Sequence, residues 1–215
     1  GTVFPLSEWA LQMISVSDNT ATDHLLYHLG RESIEARVEV TGHSEPGLNR
    51  PFLATREMFL LKWGIPQEDL DTYLAANENG RRQFLDELLP EVPLTEIEFV
   101  NEPKLLLEIE WYATPTDLCA VMVDLKAQSD APGGAPVWAA LSRNPGISFD
   151  PVVWDRIAYK GGSEPGLVNL TWLAKRKDGR WFFVTIGMND DTRLIDIQVP
   201  LEASAVLFEV LSSHP

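Results

Sequence analysis

The residues of this chain that could do chemistry lie in two short segments far apart in the sequence. The first is Ser17-Asp18-Asn19, which separates two segments with helical spacing of apolar residues. A hydroxyl, a carboxylate and an amide thus share one tight turn, where Ser17 and Asn19 can face a cleft while Asp18 holds the backbone. The alternative is a simple capping cluster, because such side chains bond the free N–H groups at helix starts.

The second segment is Lys160-Gly161-Gly162-Ser163, within a stretch that is predicted to form a strand. Its lysine could attract an anionic group. Two adjacent glycines in a strand indicate close approach by a ligand or by another chain. The alternative is that Lys160 is an ordinary surface lysine at the end of a strand.

The surrounding pattern predicts which elements hold these two segments. Helical spacing recurs in residues 6–40 and 55–89, with an ordered loop predicted at 43–54, and Thr114-Pro115 is a strong helix start. Residues 94–112 mix acidic and apolar residues without a clean period and are predicted as helix with loops. Strands are predicted at 156–161, 167–174 and 181–187, and a closing helix begins at Pro200. Helices followed by antiparallel strands and a terminal helix predict an α+β fold.

Composition limits the classes of partner. The 215 residues carry a net charge of −15, which argues against a nucleic-acid partner or an anionic membrane surface. No apolar run is long enough to predict a membrane span. His24 and His28 lie four residues apart, but no third ligand accompanies them, so neither a metal nor another cofactor is expected.

The two segments resemble a known family. Ser-Asp-Asn and Lys-Thr-Gly are two of the three signatures of class A serine β-lactamases and penicillin-binding proteins, and here they occur in the family's order. The segment Glu45-Pro46-Gly47-Leu48-Asn49 also resembles the family's omega loop, and Gly161 replaces the usual Thr or Ser. The resemblance implies a β-lactamase-like α+β fold, small-molecule β-lactam, amide or ester substrates, and a periplasmic or secreted location, although these residues contain no signal peptide.

The same resemblance implies a single, partial domain over residues 1–215. Residues 1–150 would form the mainly helical region, with an insertion at about 55–113 relative to a typical class A enzyme. Residues 151–215 would supply the antiparallel strands and the final helix. The family's first strands would be missing, which would leave the sheet with an open edge and Trp172, Trp181, Phe182 and Phe183 without part of their cover. Self-association through this open sheet is therefore expected.

Three catalytic roles follow from the resemblance. Ser17 would relay a proton to the leaving nitrogen during acylation. Lys160 would attract the substrate carboxylate and stabilise its ionised partners. Glu45 would activate the water that hydrolyses the acyl-enzyme, although a carboxylate before a proline is also common as a solvated loop residue.

Substrate binding would fall to five further residues. Asn19 would hydrogen-bond the substrate's side-chain amide, and Asn49 would hold the hydrolytic water or serve only as a turn residue. Gly161, Gly162 and Ser163 would lie beside the substrate as a neighbouring strand does.

One signature is missing. No serine in the 215 residues begins a Ser-x-x-Lys sequence, which in the family supplies the nucleophile. The chain would therefore carry the second half of an acyl-transfer site and be inactive by itself. Two alternatives stay open, namely a non-catalytic binding or structural module of the same fold and a D,D-peptidase-like penicillin-binding protein in which Glu45 plays no part.

Overall fold

The computed structural model describes residues 3–213 and has a helical region followed by an antiparallel sheet. Its helices are α1 (Leu6–Ser15), α2 (Asn19–Leu29), α3 (Arg31–Val40), α4 (Thr55–Trp63), α5 (Gln67–Ala75), α6 (Glu78–Gln83), α7 (Pro115–Asp130), α8 (Ala135–Ser142) and α9 (Gln198–Ser213). Helix α7 begins with a capping box between Thr114 and Asp117, as the Thr-Pro start predicted. The predicted α+β class is confirmed.

The three predicted strands form one sheet in the order β1-β2-β3. The strands are β1 (Trp154–Glu164), β2 (Leu167–Arg176) and β3 (Trp181–Asn189), each somewhat longer than predicted. Both pairings are antiparallel, and Lys160 lies opposite Thr171. The turn between β1 and β2 depends on Gly166, whose φ is 81°. A Cβ at Gly166 would lie 2.4 Å from the carbonyl oxygen of Asp190, so only glycine fits there.

Helices cover both faces of this sheet. On one face Phe208 of α9 packs against Trp154 and Trp172. On the other face Met122 of α7 and Leu141 of α8 form a cluster with strand residues. Trp172 is therefore 0% exposed, so the expectation that it lacks cover is wrong. Its indole N–H also donates to the carbonyl of Pro145 at 2.8 Å.

The edges of the sheet are less protected than its faces. Among residues 3–213 no strand pairs with the outer edge of β1 or of β3. Strand β3 contains no charged residue, and Trp181, Phe182 and Phe183 are half-buried. Long edge strands without charges favour pairing with another strand. Self-association through this sheet stays a prediction.

A second hydrophobic core lies within the helical region. Leu60 and Leu61 of α4, Leu89 and Ile109 are almost fully buried in this core. Residues 94–112 contain one 3-10 turn, Leu94–Glu96, and are otherwise irregular rather than helical. Long-range contacts hold this segment, such as the hydrogen bond of 3.0 Å from Trp111 Nε1 to the carbonyl of Leu53. No helix within residues 3–213 has the length and apolar character that crossing a membrane requires.

Candidate functional site

The turn between α1 and α2 presents Ser17 in an unusual backbone conformation. Asp18 caps α2, because its Oδ1 accepts a hydrogen bond from the N–H of Ala21 at 2.9 Å. Ser17 precedes this cap and has a φ of 57°, in the left-handed region that non-glycine residues seldom adopt. Its side chain is exposed. The turn therefore holds the Ser17 hydroxyl in one place, outside both helices.

Lys160 of β1 meets this hydroxyl. Its Nζ lies 2.8 Å from Ser17 Oγ, although 143 residues separate the two in sequence. The ammonium group also donates to the carbonyl of Gly161. Burial lowers the pKa of Lys160, since desolvation disfavours its charged form. The two segments that the sequence singled out therefore meet in one place.

The charge of Lys160 has no carboxylate partner. Within residues 3–213 it forms no salt bridge, whereas most other lysines of the chain do. A half-buried cation without a counter-ion supplies a local positive charge that can bind an anionic group, even though the net charge of −15 repels anions at longer range.

Packing between helices and the sheet brings the two segments together. Helix α1 packs on α8, and α8 packs on β1. In addition, the side-chain amide of Asn144 donates to the carbonyl of Ser15 at 3.0 Å, which joins the end of α1 to the loop before β1. The position of Ser17 relative to β1 is thus fixed through α8 and this loop.

The two glycines after Lys160 differ in their surroundings. A Cβ at Gly161 would lie 2.1 Å from the hydroxyl of Tyr159, whose ring packs against Trp172. Tyr159 thus occupies the space that a Thr or Ser side chain at position 161 would need. At Gly162 a Cβ would meet nothing within 4 Å, and Ser163 is exposed. The strand is therefore open beside Lys160 at Gly162 and Ser163.

Asn49 has partners inside the protein. It is 6% exposed, its Oδ1 accepts from the N–H of Tyr112 at 2.8 Å, and its Nδ2 donates to the carbonyl of Tyr112 at 2.9 Å. These two bonds tie the 3-10 turn Pro46–Asn49 to residue 112 and occupy both ends of the amide. Asn49 thus positions the loop that carries Glu45, and its predicted contact with a water stays a prediction.

Sequence reasoning missed a second anchor of this loop. The carboxylate of Asp117, at the start of α7, accepts hydrogen bonds from Ser44 N at 2.7 Å and from Ser44 Oγ at 2.9 Å. Burial raises the pKa of Asp117, but the hydrogen bonds from Thr114 and Ser44 outweigh burial and hold it below its usual range. The capping box at Thr114 could have drawn attention to Asp117, but nothing in the pattern indicated Ser44, 73 residues away.

The other two predicted polar residues do not join the pair. Glu45 and Asn19 are both exposed. The carboxylate of Glu45 makes no hydrogen bond or ion pair to any residue between 3 and 213, and its backbone N–H donates to Nδ1 of His43 at 3.1 Å. Ser17 and Lys160 are therefore brought together, whereas Glu45 and Asn19 stay free to meet a ligand.

A buried charge cluster at the end of β1 was also missed. Lys62 of α4 is fully buried, and its Nζ lies 2.5 Å from Glu110 and 2.6 Å from Glu164. Burial, helped by the neighbouring Glu110 carboxylate, raises the pKa of Glu164 to about 8 despite the contact with Lys62. Glu164 ends the strand that carries Lys160, so this cluster joins β1 to α4 and to the irregular segment.

Known proteins resemble this chain in sequence over residues 1–83 and in fold over almost its whole length. The model of a family described as the beta-lactamase enzyme family matches residues 1–83, which include Ser17, Asn19, Glu45 and Asn49. The solved structure of a β-lactamase from Sphaerobacter thermophilus DSM 20745 has a TM-score of 0.57 and 18% identity to this chain. That match covers 98% of this chain but 63% of the other. A search of curated proteins found no match. The family match and the shared fold confirm the resemblance to β-lactamase-like serine hydrolases that the two motifs predicted.

Proposed function

We propose that this chain carries the proton-relay and anion-binding part of the acyl-transfer site of a β-lactamase-like serine hydrolase. The substrates would be β-lactams or related amides and esters, and the reaction would pass through an acyl-enzyme. The proposal rests above all on the contact of 2.8 Å between Lys160 Nζ and Ser17 Oγ. The location proposed from the family is the periplasm or the outside of the cell.

The roles of the two residues follow from their surroundings. Lys160 offers a positive charge without a partner in the described chain, and a substrate carboxylate would supply one. Ser17 would pass its hydroxyl proton to the leaving nitrogen while Lys160 stabilises the oxygen that remains. Asn19 and the open strand at Gly162 and Ser163 would bind the rest of the substrate.

The loop at 43–49 would supply the deacylation machinery. Glu45 would activate a water in the proposed mechanism, and its carboxylate is exposed and has no partner in the described chain. Asn49 and Asp117 hold the loop from behind through Tyr112 and Ser44. These contacts hold the loop in place, as the proposed role of the Glu45 carboxylate requires.

A non-catalytic binding module is the second candidate function. It is favoured by the lack of any Ser-x-x-Lys sequence among the 215 residues. The reading frame immediately upstream of Thr2 separates the two candidates. A Ser-x-x-Lys sequence encoded there supports the hydrolase, and its absence from the gene supports the binding module.

Binding of benzylpenicillin tests the proposed site. Amide resonances at residues 16–20 and 160–164 should shift as the ligand is added to the labelled chain. Lys160→Met should weaken binding by about 10-fold or more, because a hydrogen bond to a charged group is worth about 1.5–3 kcal/mol. Lys177→Met, which removes an exposed lysine of the β2–β3 hairpin, should leave the affinity unchanged. Shifts confined to other surfaces, or equal affinity in Lys160→Met, would contradict the proposed site.

A further inference from the structure

Ser17 has the environment of an activated nucleophile as well as that of a proton relay. Its hydroxyl is exposed and hydrogen-bonded to the amine of Lys160 at 2.8 Å. Serine–lysine pairs of this kind replace the serine–histidine pair in some hydrolases, since a neutral lysine can accept the hydroxyl proton. We propose that Ser17 is itself acylated once by activated esters, with Lys160 as the base.

The backbone supports a chemical role for this hydroxyl. A φ of 57° is unfavourable for a serine, and a glycine at this position would avoid the strain. Strain of this kind tends to occur at functional sites, where a side chain must be held in one direction. Within residues 3–213 the hydroxyl of Ser17 forms no hydrogen bond except that with Lys160. Its position therefore serves the contact with Lys160 and not a helix cap.

The surroundings of Lys160 suit a base. Desolvation favours its neutral amine, and no carboxylate of the described chain holds it in the charged form. In the structure the Lys160 amine donates both to the carbonyl of Gly161 and to Ser17 Oγ. A neutral amine that keeps its bond to Gly161 has a lone pair that can replace the second N–H and accept the Ser17 proton. The proton that leaves Ser17 thus has a defined destination.

The proposed step balances without any further reactant. Ser17 Oγ forms a bond to the electrophilic carbonyl carbon, and its proton passes to Nζ of Lys160. The bond between that carbon and its leaving group breaks, and the leaving group departs with the electron pair. The products are an ester on Ser17 and an ammonium on Lys160. The step needs no other nucleophile, so it goes beyond the proposed hydrolase function and does not depend on that function.

A fluorophosphonate probe tests the proposal, since Ser17 would displace its fluoride in the same way. Intact mass spectrometry of the full 215-residue chain should show one adduct, and peptide mapping should place it on Ser17. Ser17→Gly, which relieves the left-handed φ and should fold, should show no adduct. The Ser148→Ala variant lacks an exposed serine of the loop before β1, and the probe should label it to the same extent as the unaltered chain. An adduct on another residue, or none, would overturn the proposal.

Two lysine variants separate this proposal from the proposed binding role. Lys160→Met should slow labelling by about 100-fold. This is the low end of the rate acceleration that a general base usually provides. Lys160→Arg keeps a cation but cannot act as a base at neutral pH, so it should label as slowly as Lys160→Met while it still binds benzylpenicillin. Equal labelling rates in Lys160→Arg and the unaltered chain would overturn the role of Lys160 as a base. Loss of penicillin binding alone would instead contradict the proposed function.

Discussion

Replacing Lys62 by Met is expected to lower the free energy of unfolding by about 3–5 kcal/mol, as measured by urea denaturation at pH 7. The side chain of Lys62 is 0% exposed and lies between Glu110 and Glu164, which are 7% and 11% exposed. At pH 7 Glu164 is mostly protonated, since its pKa is raised to about 8, so loss of the lysine leaves the buried Glu110 carboxylate without its cation. The loss should therefore far exceed that of an ordinary ion pair.

Two further variants make this prediction sharp. Lys177→Met removes an exposed lysine that lies 3.8 Å from Asp155, and it should cost less than about 1 kcal/mol. Combining Lys62→Met with Glu110→Gln and Glu164→Gln should recover much of the loss, because no uncompensated charge then remains buried. A Lys62→Met variant no less stable than Lys177→Met would contradict this account of the cluster.

Because Glu164 titrates differently in the folded and unfolded chain, the free energy of unfolding should also fall as the pH rises from about 4.5 to about 8. Burial and Glu110 raise the pKa of Glu164 in the folded chain to about 8, above its usual value of 4.5. The folded chain therefore holds a proton in this window that the unfolded chain has released, so rising pH favours unfolding. Above about 8 both states have lost the proton, and this contribution stops changing.

The comparison with Glu164→Gln isolates this effect from that of the other carboxylates. Glutamine imitates the protonated acid, so the variant should gain stability relative to the unaltered chain between pH 5 and pH 8. Lys62 and Glu110, the charged groups that contact Glu164, are the same in both proteins. Urea denaturation at pH 5, 6.5, 8 and 9 measures the difference. A difference that stays constant with pH, or changes in the opposite direction, would show that Glu164 is already ionised at neutral pH.

Local patterns in the sequence predicted most of the elements. Thr114-Pro115 marked the start of α7, and Asp178-Gly179 marked the hairpin between β2 and β3, because capping and turn formation depend on neighbouring residues. The contact between Ser17 and Lys160 was predictable for another reason. The motifs carried the resemblance to a family in which the two residues are partners, whereas periodicity alone could not have joined positions 143 residues apart.

The parts that the sequence did not predict depend on distant partners. In the sequence, Lys62 is an ordinary residue within a mainly apolar helix. Its two carboxylate partners, Glu110 and Glu164, lie 48 and 102 residues later. The hydrogen bonds between the Asn49 amide and Tyr112 were not predicted either, because Tyr112 lies on an irregular segment that has no periodic pattern. Tertiary contacts of this kind leave no local signal in a single sequence.

Hydrolysis of nitrocefin by the purified 215-residue chain tests the central claim most directly. The chain contains Ser17 and Lys160 but no Ser-x-x-Lys sequence, and loss of the nucleophile costs on the order of 10⁶ in the rate of a serine hydrolase. The account predicts that each chain releases at most one equivalent of product. After that, nitrocefin should be hydrolysed no faster than in buffer alone. Repeated turnover above that rate, abolished by Ser17→Ala, would contradict it.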